Sequence, residues 1–180
     1  LFPKMQRFYA TVDEMAWANE LRARLNRFLV IVVPTGSSVT KYWPYAPELV
    51  KQLLQRDDVS VVVLGDQRGT EYEPHENLLN IGMDWDVRKA MTFVQLGDVV
   101  IGEETGLLNT VAFVNECHKV VLMSHSSVEN LTRDWVNTDS IRMFPECAGQ
   151  SGCHRLHYDW THCTKDEKTN SAMCQAMITV

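Results

Sequence analysis

The sequence predicts an open, doubly wound α/β domain, Rossmann-like, built on a parallel sheet. Three observations carry this expectation. A continuous apolar, largely β-branched run at residues 28–33 and a second at 59–64 broken only by Ser60 lack polar alternation, as strands covered on both faces do. Segments with apolar residues at helical spacing lie between such runs. Strands and helices also alternate along the chain, which is the order of a parallel sheet with crossover helices.

The elements follow in chain order. Thr11-Val12-Asp13-Glu14 is a capping box, and Met15, Ala18, Leu21 and Leu25 continue it as a helix to about residue 26. The strand at 28–33 is ended by Pro34. After a polar loop, residues 44–56 read as a helix with Leu49, Val50, Leu53 and Leu54 inward, and the strand at 59–64 is closed by Gly65-Asp66. Residues 66–77 are polar and irregular, and 78–81 form a third strand. Asp84 is the expected cap of a helix over 85–96, followed by a strand at 98–101, a helix at 107–115 and a strand at 119–123. Ser126-Ser127-Val128-Glu129 reads as a second capping box, opening a short helix to 135, and 141–144 as a sixth strand. The α/β domain thus covers 1–145, with 1–26 as a leading helix. Residues 146–180 shift to Cys, His, Thr and Asn and read as an appendage packed on it.

Composition narrows the function. The 180 residues suit one domain, and 45% apolar with 22% charged residues is ordinary for a soluble chain. A net charge of −6 with scattered Lys and Arg argues against a nucleic-acid partner, which needs a concentrated basic face. No apolar run has transmembrane length, and the first residues do not read as a signal peptide, so a cytoplasmic protein with a small-molecule ligand is expected. The absence of an initiator Met suggests a piece of a longer chain. Five cysteines, four of them (Cys147, Cys153, Cys163 and Cys174) near the end, favour reduced thiols over a disulfide framework. With His154, His157 and His162 among them they invite a metal site, but no C-x-x-C knuckle is present, and packed thiols with surface histidines are the plainer reading. Cys117 reads as a small core residue.

In a sheet of this kind ligands bind at the carboxyl ends of the strands. Two such ends have unusual chemistry. The segment from Thr35 to Pro44 places Gly36, the hydroxyls of Thr35, Ser37 and Thr40, free amides and Lys41 ahead of a helix. Hydroxyls and amides donate to phosphate oxygens and the ammonium supplies charge, so the segment suits a phosphate as well as it suits a solvated loop over a packed Trp43. The second is Gly102-Glu103-Glu104-Thr105-Gly106-Leu107, where a strand turns into a helix. There Gly106 lets a ligand approach the backbone and Thr105 can cap the helix or hold a phosphate oxygen, while a plain capped turn is the alternative. Two such ends on one edge favour a shared diphosphate. No G-x-G-x-x-G, Walker or G-x-S-x-G motif is present, so neither a dinucleotide nor any other cofactor is expected.

These residues resemble a family. Thr35 through Lys41-Tyr42-Trp43-Pro44 resembles the K-x-W-P loop of the heptosyltransferase-type glycosyltransferases of lipopolysaccharide synthesis. Gly102 to Gly106, with Leu107-Leu108-Asn109, resembles their D-T-G-x-x-H element. Gly82-Met83-Asp84-Trp85 takes the place of a Gly-containing turn between them. The Cys-containing end, through Met177-Ile178-Thr179, is similar to the end of many members. Glu104 stands where the family has Asp, and Asn109 where it has His. Residues 66–77 are too few for the usual helix, so the ribose region differs.

The resemblance implies the C-terminal, donor-binding half of a two-domain glycosyltransferase. Its donor would be a nucleotide sugar carrying heptose or a related sugar, and its acceptor a glycan or lipid-linked glycan. It implies that acceptor and catalytic base belong to an N-terminal domain absent from this chain, which alone would be inactive. Lys41 would neutralise the leaving diphosphate as the catalytic group on this side. Thr35, Gly36, Ser37, Thr40, Thr105, Gly106 and Leu107 would hold the phosphates without a divalent metal. Glu71, Met83 and Glu104 would contact the nucleoside, although Glu71 also reads as a solvent-facing acid and Met83 as a core residue. Two rivals remain from sequence: a non-catalytic nucleotide or sugar-nucleotide binding module, and a nucleotide-sugar epimerase, which shares this architecture.

Overall fold

The computed structural model describes residues 7–37, 41–66 and 71–142. Its six strands are β1 (Phe28–Val33), β2 (Val59–Leu64), β3 (Leu78–Gly82), β4 (Val99–Glu103), β5 (His118–Met123) and β6 (Thr138–Arg142). They form one parallel sheet in the order β3-β2-β1-β4-β5-β6. Five helices accompany them: α1 (Val12–Arg22), α2 (Ala46–Leu53), α3 (Val87–Phe93), α4 (Gly106–Val111) and α5 (Val128–Leu131), with a 3-10 turn at Val94–Leu96. The expected open α/β fold is what the chain adopts.

The apolar runs split by parity. Leu29, Ile31 and Val33 face a core with Ala18, Phe93, Leu108 and Val111, beneath α1, α3 and α4. Val30 and Val32 face the opposite core with Ala46, Val50 and the odd residues of β2, where Trp43 and Tyr72 pack. Burial on both faces removes any use for polar alternation, which is why these central strands read as continuous apolar runs. α1 is fastened by a T-shaped Trp17–Trp85 contact with centroids 5.1 Å apart, by Trp17 against Phe93 at 6.2 Å, and by an Arg22–Asp98 ion pair.

Several boundaries differ from the sequence reading. The α1 box forms as expected, with the Thr11 amide donating to Glu14 Oε2 at 2.7 Å and the Glu14 amide to Thr11 Oγ1 at 3.3 Å, but the helix ends at Arg22. α2 is shorter at both ends than 44–56. The cap of α3 is Asp86, which accepts from the Lys89 amide at 2.9 Å; Asp84 lies in the turn after Gly82, whose φ is 55°. Trp85 belongs to the aromatic cluster ahead of the helix. Ser127 rather than Ser126 caps α5, which stops at Leu131. α4 ends at Val111 rather than 115, because the carbonyls beyond it find other donors: Ala112 O accepts from the Val136 amide and Val114 O from Lys119 Nζ at 2.8 Å. β6 begins at Thr138, earlier than 141; an edge strand with alternating exposure gives no apolar run to recognise. The cysteine tail with Cys147, Cys153, Cys163 and Cys174, expected as an appendage packed on the domain, lies outside the described residues.

Candidate functional site

The sheet order reverses direction between β1 and β4, the two strands that follow different neighbours outward. Loops leaving such a pair part to opposite faces and open a crevice at the carboxyl edge. Both segments singled out from sequence leave the sheet at this edge, one after each of the two strands.

The β1 loop folds back on itself. Thr35 and Tyr42 form an isolated antiparallel bridge, and the Gly36 amide donates to Lys41 O at 2.8 Å. That fold-back turns Lys41 toward β4, where its Nζ donates to Glu104 O at 2.6 Å. Gly36 is needed for the approach. A Cβ there would lie 2.7 Å from Lys41 Cδ and 3.3 Å from Thr105 Cγ2. The two strand ends are therefore packed together by Gly36, Lys41, Glu104 and Thr105.

The remaining candidates fall into distinct places. Thr35 is buried and its hydroxyl donates to the Asp66 carbonyl, tying the ends of β1 and β2, so that proton is spent inside the protein. Ser37 is exposed on the loop, and Thr40 lies outside the described residues. Thr105 is the N-cap of α4, its Oγ1 accepting from the Leu108 amide at 3.4 Å; Gly106 and Leu107 occupy the first helical positions, whose amides have no carbonyl partner within a helix. Gly106 is exposed, its φ is not left-handed, and no described atom lies within 4 Å of a Cβ built on it, so the strain expected from a side chain there is absent.

The nucleoside candidates disperse. Met83 is 72% exposed at the carboxyl end of β3, which removes the alternative of a core methionine. Glu71 is exposed and lines a groove of about 400 Å³ between α2 and residues 71–75, with Tyr72 and His75; no hydrogen bond among the described residues joins it to Lys41. Trp43 packs on the α2 core, as the plain reading of its loop required. Glu104 turns inward: its side chain is only 2% exposed and accepts from the amides of Ser124 and Ser126, each at 3.0 Å, and pairs with His125 Nδ1 at 2.5 Å. Burial alone would raise its carboxyl, but the His125 hydrogen bond and charge, with the two amides, hold it below the ordinary carboxylate value. His125 had drawn no attention in the sequence. Its signal is conformational, because nothing in a Ser-His-Ser stretch announces a buried acid from the neighbouring strand.

No family model matches the sequence, and no curated protein matches it either. Solved structures do resemble its fold. ADP-heptose LPS heptosyltransferase II of E. coli superposes with a TM-score of 0.59 at 19% identity, over 77% of this chain and 45% of that one. A glycosyl transferase of family 9 from Veillonella parvula gives 0.60 at 12% identity, over 75% and 42%. The dodecameric iron-containing heptosyltransferase TibC, solved with ADP-D-beta-D-heptose, gives 0.51 at 14%, over 75% and 36%. This chain thus spans less than half the length of these structures, and at such identities the likeness is one of fold. Among the described residues no helix is long and apolar enough to cross a membrane.

Proposed function

We propose that this chain is the nucleotide-sugar-binding part of a glycosyltransferase, and that it holds the donor diphosphate at the β1/β4 crevice. One observation carries the reading: Lys41 reaches from the β1 loop to the β4 turn at the topological switch point. An ammonium there is a compact point charge beside helix-start amides that have no partner among the described residues, which is what a diphosphate needs. The fold shared with heptosyltransferases supports the class of reaction.

Chemically, transfer breaks the bond between the anomeric carbon and a diphosphate oxygen. The electron pair goes to that oxygen, while an acceptor hydroxyl attacks the carbon and gives its proton to a base. Lys41 would stabilise the charge developing on the diphosphate, and the base for the acceptor proton would belong to the other domain of such a two-domain transferase. That division of labour is why the chain would bind donor and not turn it over alone. Titration calorimetry with ADP, beside a transfer assay with an ADP-sugar, tests both halves. The expected result is saturable ADP binding, weakened roughly ten- to a hundredfold by Lys41→Ala. Sugar transfer by the 180 residues alone, or ADP binding indifferent to Lys41, would overturn the reading.

A further inference from the structure

A carboxylate taken out of water at a strand end must be compensated by donors. Glu104 recruits four from a single loop: the amides of Ser124 and Ser126, the Ser124 hydroxyl, which donates to Oε2 at 3.5 Å, and the imidazole of His125, whose Nδ1 also lies 3.1 Å from that hydroxyl. Two amides already serve Oε1, each at 3.0 Å. The imidazole is a different matter, because engaging Nδ1 fixes the ring's orientation and makes Nε2 its second functional atom. The His125 side chain is 14% exposed, and Nε2 has no hydrogen-bond partner among the described residues. Glu104 also joins this ring to the crevice. Its main-chain oxygen accepts from Lys41 and its carboxylate pairs with His125, so one residue joins the two side chains through opposite ends.

We propose that His125 is a second phosphate-contacting residue of the donor site, with Glu104 as its positioning residue. The proposal rests on the reading of the crevice as a nucleoside diphosphate site. The ring donates a hydrogen bond from Nε2 to a diphosphate oxygen, and the Glu104 carboxylate holds the ring from behind through Nδ1. As the anomeric C–O bond breaks and its electron pair passes to the diphosphate, that contact strengthens, while the acceptor's proton leaves elsewhere. Lys41 and His125 then grip the diphosphate from the β1 and β5 sides of the β4 turn.

His125→Asn isolates the point, because the Asn amide replaces Nδ1 toward Glu104 but carries nothing at the Nε2 position. ADP titrated into the whole 180-residue chain by calorimetry is expected to bind about tenfold more weakly to His125→Asn. The wild-type chain, with its imidazole nitrogens labelled, is expected to show the His125 Nε2 resonance moving as ADP saturates. A resonance that stays fixed while calorimetry saturates overturns the proposal, whether or not the variant folds. So does wild-type affinity in a folded His125→Asn, and in either case ADP binding sensitive to Lys41→Ala leaves the diphosphate reading standing. No ADP binding by the wild-type chain removes that reading and this one together.

Discussion

Gly36→Ala separates the fold from the site. The added Cβ would meet Lys41 Cδ at 2.7 Å and Lys41 Cβ at 2.9 Å, whereas carbon contacts are comfortable at about 3.5–4.0 Å. Lys41 must therefore move by roughly 1 Å at its base, and its 2.6 Å bond to Glu104 O cannot survive at that geometry. The neighbour that gives way is a half-buried lysine on a loop, so stability should fall by only about 0.5–1.5 kcal/mol, the net worth of one hydrogen bond. For a chain of this size that lowers Tm by roughly 1–6 °C. ADP affinity should fall much further, by about ten- to a hundredfold, because a displaced ammonium loses a charge-assisted contact. Thermal melts and calorimetric titration on the same preparation give both quantities. A folded Gly36→Ala that binds ADP like the wild type would refute the placement of Lys41 in the site.

Gly102→Ala is the opposite case: its Cβ would lie 2.5 Å from Val33 O, a backbone atom of the neighbouring central strand, so overpacking should cost about 1–3 kcal/mol and lower Tm by roughly 2–12 °C in thermal melts. Acid unfolding should report on Glu14, whose carboxyl is brought from 4.5 to about 2 by its hydrogen bond to Arg88, with further help from the Thr11 amide. A depressed folded value means stability present above pH 4.5 and lost as pH falls toward 2, so the wild type should lose stability more steeply than Glu14→Gln across that window, and parallel curves would contradict it. Cys117 is fully buried, and desolvation pushes its thiol up to about 11; mass spectrometry after iodoacetamide at about pH 8 should find it unlabelled in the folded chain, and labelling at the rate of a free thiol would show the core open.

How much of this was legible in the sequence depends on where each interaction is made. Strands β1 and β2 could be read to the residue, because burial on both faces writes itself into consecutive positions. The α1 capping box was equally plain, since both its bonds join residues three apart. β6 and the end of α4 were misread because their limits are set by partners distant in sequence: Lys119 and Val136 for the α4 carbonyls, and a single neighbouring strand for β6. At the site, local chemistry pointed to Lys41 and Thr105 as occupants of two strand ends. That they touch the same turn follows from the strand order, which no local pattern contains. Thr35 looked like a phosphate donor because a hydroxyl in a loop is ambiguous; only the fold reveals the Asp66 carbonyl beside it.

Glu104 shows how a departure from the pattern of a resembling family can leave a main-chain contact undisturbed. The resemblance put Asp at this position, and the longer acid looked like a change in what the nucleoside meets. The structure divides the residue's work between two atoms groups: the carboxylate secures the β5 loop through Ser124, Ser126 and His125, and the main-chain oxygen receives Lys41. A contact to a main-chain oxygen depends on the path of the backbone and not on the side chain, so an extra methylene does not disturb Lys41 directly. It acts on the other side of the strand end, where one more carbon lengthens the reach to the β5 loop. What the substitution can alter is therefore the placement of that loop, and with it the position of the His125 ring relative to the lysine.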